Sequence, residues 1–548
     1  MPDRESKSKS IIVQGTILAA ASFISRIVGL LYRVPLTRII GKRGNDYYGT
    51  AYTIYSILLI ISSYSLPLAV SKMVSERMAK GESKNAARVF KGSLVFACVS
   101  GGIASVILFV FADVFSGWVK TPEAALALRI LAPVLFLTAI VGVLRGLFQG
   151  LHTMIPTAVS QIIEQIVNAI ISVVAAYFLF TYGLRAGAVL GNANNGPAFG
   201  AAGGTLGTLA GSVAALVFMT FFTVMFIRFV KKNKRKDLSI KESYRDIFHI
   251  IILTVVPVIL STTLYNVSAV IEMFIFKNIA VFQKYPVKSI SEWWGVYSGE
   301  YLVLQGVPMS IASSLASSSV PSLSASYALG KKEDVRSKIR SVSKFIMIIA
   351  IPCSVGLMVL SGPILKLMFH DPDKLSALIL IIGSFSIPFY CLSTLSNGFM
   401  QGINKMKVPL RNCAIAMAAH AIMLVILMLV FRANIIGVVI ANNFYSIVLA
   451  IMNDISIRRY SKANLDPYDT FLKPLASSIV MGFFVFIVYK ILDVAIGINL
   501  FGVIVGIFTG ILVYFVMIIK TGTISKDELI TFPGGHKLYS LAKRMRLL

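Results

Sequence analysis

The chain has 548 residues, of which 56% are hydrophobic and only 14% charged, with a net charge of +28 and a mean hydropathy of +0.80. A soluble protein of this length keeps roughly a quarter of its residues charged, so a soluble fold is excluded. With it goes the nucleic-acid binding that so basic a soluble chain would suggest. A lipid-exposed backbone must satisfy its own hydrogen bonds, and these apolar runs lack the polar–apolar alternation of a membrane barrel. The fold class expected is therefore an all-α integral membrane protein of about fourteen transmembrane helices.

In chain order the expected spans are 11–33, 51–73, 92–115, 127–149, 157–181 and 205–230, then 247–275, 298–324, 342–362, 376–400, 411–431 and 435–457. Two more follow at 473–493 and 498–520. Ala19-Ala-Ala-Ser22 could pass for a cleavage site, but the apolar run continues beyond it, so an uncleaved first span is expected. Lys and Arg concentrate in the termini and in every second connection: Lys72–Lys91, Arg228–Arg245, Lys331–Lys344, Arg458–Lys473 and Lys520–Arg546. That alternation is the positive-inside pattern, which puts those segments and both termini in the cytoplasm and requires an even number of spans. The longest external connections expected are a Gly/Asn-rich stretch, Gly183–Gly204, and a segment from Lys277 to Gly299. Cys98, Cys353, Cys391 and Cys413 fall in apolar runs without metal-like spacing and read as small core residues.

The chain repeats itself weakly. Gly146-Leu-Phe-Gln-Gly150 closes span 4 and Gly398-Phe-Met-Gln-Gly402 closes span 10. Ala79-Lys-Gly81-Glu follows span 2, and Ala328-Leu-Gly330-Lys follows span 8 at nearly the same offset. Six spans per copy is an even number, so the copies share one orientation and form a parallel repeat. The expected division is a first lobe over 1–235, a second over 236–460, and two further helices with a basic cytoplasmic tail over 461–548.

An ionisable residue deep in a span costs about 2.5–3.5 kcal/mol on insertion scales and so marks a protein interior or a wet cavity. Arg26 and Arg33 stand seven residues apart in span 1, on nearly one helical face. In span 5, Gln161, Glu164, Gln165, Asn168 and Ser172 recur at three- and four-residue spacing. A carboxylate among amides suits a protonatable or ion-binding site; interhelical hydrogen bonding is the plainer alternative. Span 7 offers Ser261, Tyr265, Ser268 and Glu272, span 8 Gln305, and span 12 Asn442, Ser446 and Asn453 beside Asp454. Arg145 ends span 4, where a structural ion pair competes with substrate contact. Gly203, Gly207 and Gly211 suit close helix contact, and Pro257, Pro308, Pro352 and Pro388 suit kinks. The five histidines are scattered, and there is neither a nucleophile elbow nor a P-loop. No catalytic residue, metal ligand or cofactor is assigned, and the chain is not expected to be an enzyme.

Arg145-Gly-Leu-Phe-Gln-Gly-Leu-His-Thr-Met-Ile-Pro156, running on through Ser160-Gln-Ile-Ile-Glu164-Gln, resembles the span 4–5 signature of polysaccharide-type exporters. Ser25-Arg26-Ile-Val-Gly29-Leu-Leu-Tyr-Arg33, Leu66-Pro67-Leu-Ala-Val-Ser71-Lys72, Gly295-Val-Tyr-Ser-Gly299, Val307-Pro308 and Pro321-Ser322-Leu-Ser324 add to it. Together they resemble the multidrug/oligosaccharidyl-lipid/polysaccharide flippase superfamily, nearest the stage V sporulation protein B and MurJ-like branch. The resemblance implies two six-helix lobes forming a V, plus two trailing helices. It also implies alternating access in a bacterial cytoplasmic membrane, moving an undecaprenyl-diphosphate-linked glycan, lipid II first among candidates, for peptidoglycan or spore-cortex synthesis. Arg26, Arg33 and Gln305 become headgroup candidates, and Gln161, Glu164, Gln165, Asn168 and Glu272 cavity or coupling candidates. Na⁺, H⁺ or the membrane potential would drive the movement. A monomer in the lipid bilayer is expected, with cell-wall synthesis enzymes as candidate neighbours. Arg33 lies one residue further along than in MurJ proper within that branch, and spans 2 and 8 lack the interior arginines that MurJ proper has. A cation-coupled multidrug exporter is the alternative; a membrane-embedded glycan polymerase or ligase fits less well, because the outer loops are short.

Overall fold

The computed structural model describes residues 2–232 and 241–524, with 540 and 544. The expected lobe boundary at 235/236, much of the basic segment around it and most of the C-terminal tail lie outside the described residues. The side chains of Ser261 and Tyr265 do too. Among the described residues every regular element is helical. Internal packing divides the chain into two compact units, Met1–Gly299 and Glu300–Leu548.

The first unit contains α1 (Pro2–Leu59), α2 (Leu66–Ala79), α3 (Ser83–Val110), α4 (Ala112–Trp118), α5 (Ala125–Gly150), α6 (Ile155–Leu190), α7 (Asn195–Lys232), α8 (Tyr244–Phe282) and α9 (Val287–Val296). An unbroken α1 of 58 residues would run about 87 Å, far beyond a bilayer core of ~30 Å. It is broken at Gly41, whose φ of 66° and ψ of −177° no helix accepts. Expected spans 1 and 2 are thus joined by helix on both sides of one glycine rather than by a loop over 34–50. The second half of α1 runs on through a π turn, Ile60–Tyr64, into α2.

Two expected external connections are largely helical. The Gly/Asn-rich stretch is almost wholly helical, because α6 reaches Leu190, is capped by left-handed Gly191, and α7 begins at Asn195. Its glycines serve contact: a Cβ on Gly183 would stand 2.6 Å from the Asn195 carbonyl oxygen. The segment after Lys277 holds the last turn of α8 and all of α9. Gly203 and Gly211 let α7 lie directly on α6, where added Cβ atoms would meet the Ala175 and Glu164 carbonyl oxygens, each at 2.5 Å.

The second unit contains α10 (Leu302–Ala328), α11 (Lys332–Val359), α12 (Ser361–Phe369), α13 (Lys374–Ser384), α14 (Ile387–Gly402), α15 (Lys407–Leu429), α16 (Asn434–Ser461), α17 (Lys473–Ile496) and α18 (Asn499–Lys520). Pro388 stands in the first turn of α14, after a 43° bend from α13. Pro308 and Pro352 sit inside α10 and α11.

The repeat is visible in the backbone. Gly81 and Gly330 both take positive φ after the second helix of each copy, and their N–H groups donate to Met78 and Tyr327. His152 and Asn404 likewise share a left-handed turn after Gly150 and Gly402. In the first unit Gly146 meets Pro67 and Val70 of α2; in the second, Gly398 meets Ala316 of α10. Ten helical stretches among the described residues are long and apolar enough to cross a membrane, or eleven with the bent pair α13–α14. The stretch Ala20–Ala79 counts once in that figure although Gly41 divides it. The chain is a multi-pass membrane protein.

Candidate functional site

Four of the five polar candidates of α6, Gln161, Glu164, Asn168 and Ser172, hydrogen-bond to a neighbour, on three different helices. Gln161 Oε1 accepts from Ser22 of α1 at 3.2 Å, and the Gln165 amide packs on Gly29, 3.1 Å from where a Cβ would stand. Toward α5, Glu164 Oε2 accepts from Arg145 Nη2 at 2.7 Å, while Arg145 Nε donates to Ser160 at 2.9 Å. Buried Asn168 accepts from Ser172 of its own helix at 2.9 Å and, toward α7, from Thr208 at 3.4 Å. A face with three- and four-residue spacing is about one third of a helix wide, so one stripe reaches several neighbours. Glu164 is thereby held as one half of a partly exposed ion pair, its side chain 26% exposed and that of Arg145 16%.

On α1, Ser22, Arg26, Gly29 and Arg33 follow one another at four-, three- and four-residue steps, so they share a face. Arg33 is half-buried, with its guanidinium carbon 4.5 Å from the Tyr48 ring centre and 5.7 Å from that of Tyr52. Cation–π attraction holds it there. Arg26 stands about 22 Å of helix before the break at Gly41. Its side chain is exposed and has no hydrogen bond, ion pair or ring partner among the described residues. Of the charged candidates in the spans, it alone is unmatched there.

The other candidates are built into packing. Glu272 is buried in α8 and hydrogen-bonded to Tyr297. In the second unit, buried Gln305 donates from Nε2 to Ser386 Oγ at 2.8 Å, beside the Tyr301 hydroxyl that donates to the Gly383 carbonyl at 3.1 Å. Gln305 therefore secures the α13–α14 bend. On α16, Asn442 bonds the Tyr390 hydroxyl, Asn453 accepts from Asn412 at 3.0 Å, and Asp454 pairs with Arg458 at 2.7 Å.

Sequence reasoning missed a buried ion pair. Lys277 of α8 and Asp46 of α1 are each 1% exposed and in direct contact. The Lys277 ammonium also donates to Thr50 at 2.8 Å and to Thr121 at 2.6 Å, so all three of its donors are used. The signal lay in the run Ile275–Phe282, which stays apolar on both sides of Lys277 and Asn278. The charge marks a buried contact there, not the end of a span.

The profile of the family described as Polysaccharide biosynthesis protein matches residues 12–327, and a second, described as MatE, matches 301–427. The lipid II flippase MurJ of Bacillus subtilis (strain 168) is 25% identical over 480 residues, covering 82% of this chain and 83% of that protein. Stage V sporulation protein B of the same organism is 31% identical over 140 residues, 25% of this chain and 27% of that protein. A solved structure of lipid II flippase MurJ in an inward closed conformation superposes with a TM-score of 0.66 at 19% identity, covering 92% of this chain and 98% of that one. An inward-facing multidrug resistance MATE family transporter of the MOP superfamily gives 0.60 at 17% identity, covering 80% and 96%.

Proposed function

The chain belongs to the polysaccharide biosynthesis protein family, and from that premise we propose that it is a flippase carrying an undecaprenyl-diphosphate-linked glycan precursor, lipid II, across the bacterial cytoplasmic membrane. The substrate crosses by alternating access, with no covalent bond made or broken. The likeness to a lipid II flippase along 82% of the chain supports this reading. The observation that carries it is Arg26, an exposed cation within the apolar part of α1 that is unmatched among the described residues. A guanidinium without a carboxylate is suited to a diphosphate, which offers charge and several acceptor oxygens in its place. Arg33, on the same face, is the second headgroup candidate, and the Gln161 and Gln165 amides beside Ser22 and Gly29 supply donors for sugar hydroxyls.

Both termini are proposed to be cytoplasmic, and the membrane potential or a Na⁺ or H⁺ gradient to drive the cycle. A drug exporter of the MatE kind is less well supported, because Glu164, the carboxylate that would serve a coupling cation in the first unit, already pairs with Arg145. The test is complementation of a conditional lipid II flippase depletion, at matched membrane levels, by wild type, Arg26→Lys and Arg26→Ala. Wild type should restore growth and external lipid II, Arg26→Lys should do so partly, and Arg26→Ala should fail. A well-expressed wild type that does not rescue would refute lipid II as substrate. Full rescue by Arg26→Ala would remove Arg26 from the headgroup site.

A further inference from the structure

At the end of the second unit where α10 meets α11, a cavity of about 470 Å³ opens between that turn, the end of α14 and the end of α16. Its lining includes Lys332, Arg336, Lys462, Tyr327, Tyr460 and Ser461, and no carboxylate among the described residues. Lys405 and Arg459 add charge from just outside, their cations 5.6 and 6.0 Å from the Tyr460 ring centre. The two acids at the start of α11 are already engaged, Glu333 by Arg336 at 2.8 Å and Asp334 by Lys338 at 2.9 Å. A cytoplasmic orientation accounts for basic residues in these segments. It does not account for their convergence around an open cavity.

The first unit shows what the same architecture does when the anion is supplied. There the turn after α2 has the same hydrogen bonds around Gly81 as the second unit has around Gly330. An arginine of the following helix again holds a carbonyl of the segment that leaves the copy's last helix: Arg88 Nε donates to Glu242 at 2.9 Å, as Arg336 Nε does to Ser461 at 3.3 Å. In the first unit, however, Glu242 turns its carboxylate onto Arg77, which grips it with two donors at 3.2 and 3.1 Å. The second unit has cations and space but, among the described residues, no such carboxylate in the cavity lining.

We propose that this cavity is a binding site for a phosphate group, carried by an anionic phospholipid headgroup or by a soluble phosphate compound, which takes the place that the Glu242 carboxylate fills in the first unit. Basic pockets between transmembrane helices on the cytoplasmic side are suited to such headgroups. Lys332, Arg336 and Lys462 supply charge-assisted donors, and Tyr327 and Tyr460 are partly exposed in the way of aromatic side chains at a lipid interface.

The test measures binding of short-chain phosphatidylglycerol, and separately of inorganic phosphate, to the full chain in detergent by thermophoresis. Two variants are compared with wild type. One is the triple variant Lys332→Gln, Arg336→Gln, Lys462→Gln; the other is Ser461→Glu, which keeps every cation but puts a carboxylate into the cavity. Both variants must elute as wild type does. The triple variant should weaken phosphatidylglycerol binding about a hundredfold, and Ser461→Glu at least tenfold. Binding of phosphatidylglycerol that inorganic phosphate does not compete away identifies lipid as the source. Binding of inorganic phosphate that both variants abolish identifies a soluble one. If neither probe binds wild type, or if both variants bind as wild type does, the proposal is wrong.

Discussion

Replacing Lys277 with methionine should be among the most destabilising single changes in the first unit. The substitution keeps the length of the side chain but removes an ammonium with three partners, from a place where both members of its ion pair are 1% exposed. Asp46 would be left buried with Thr50 Oγ1, at 3.1 Å, as its remaining hydrogen-bond donor among the bonds described. Removing one partner of a buried pair costs about 3–5 kcal/mol, because the other charge stays behind uncompensated. At about 2–4 °C per kcal/mol for a unit of this size, the melting temperature should fall by roughly 10 °C. The double variant Asp46→Asn, Lys277→Met removes both charges and should recover most of that loss, since well-packed neutral replacements of buried pairs are often tolerated. The assay is thermal melting of purified protein in detergent, followed by fluorescence-detected size exclusion, for the wild type, both singles and the double. A single variant melting within 2 °C of wild type, or a double variant no better than the worse single, would refute the reasoning.

The Arg145–Glu164 pair is more exposed, so its cost is smaller. Glu164→Gln should destabilise by about 1–2 kcal/mol by melting assay, and it should leave complementation of lipid II transport intact if the carboxylate serves packing rather than coupling. Gly146→Ala should cost about 1–3 kcal/mol, because its Cβ would lie 2.8 Å from the Pro67 carbonyl and from Val70 Cβ. Gly356→Ala, with open space around the new methyl, should be neutral or slightly stabilising in the same melting assay.

The all-helical membrane fold was legible in the sequence because lipid imposes one solution on long apolar runs. The repeat was legible because its two echoes fall where a positive φ (Gly81 and Gly330, in turns) or a close helix approach (Gly146 and Gly398, within α5 and α14) limits the choice of residue. Element ends were less legible because residue types that usually signal a loop had other work. Gly183 and Gly187 admit the neighbouring backbone of the α6–α7 turn. Gly41 breaks a helix without opening a loop, and Lys277 looks like a boundary until Asp46 is found. Those two charges are 231 positions apart. No local pattern announces such a pairing, which depends on how α1 and α8 pack.

The same argument separates the polar residues of the candidate site. Periodicity identified the α6 stripe but could not say what each member meets, since its neighbours come from α1, α5 and α7. Once the partners are known, the insertion cost of most charged or amide groups has a compensating contact: Arg145 for Glu164, Ser22 for Gln161, Thr208 for Asn168, Ser386 for Gln305, Tyr48 for Arg33. Each contact accounts for its residue without reference to a substrate. Arg26 has no such account among the described residues, although a charge in a span costs about 2.5–3.5 kcal/mol on insertion scales. A substrate phosphate that reaches Arg26 would offset that cost, which makes Arg26 a stronger headgroup candidate than Gln305 and the first residue to substitute.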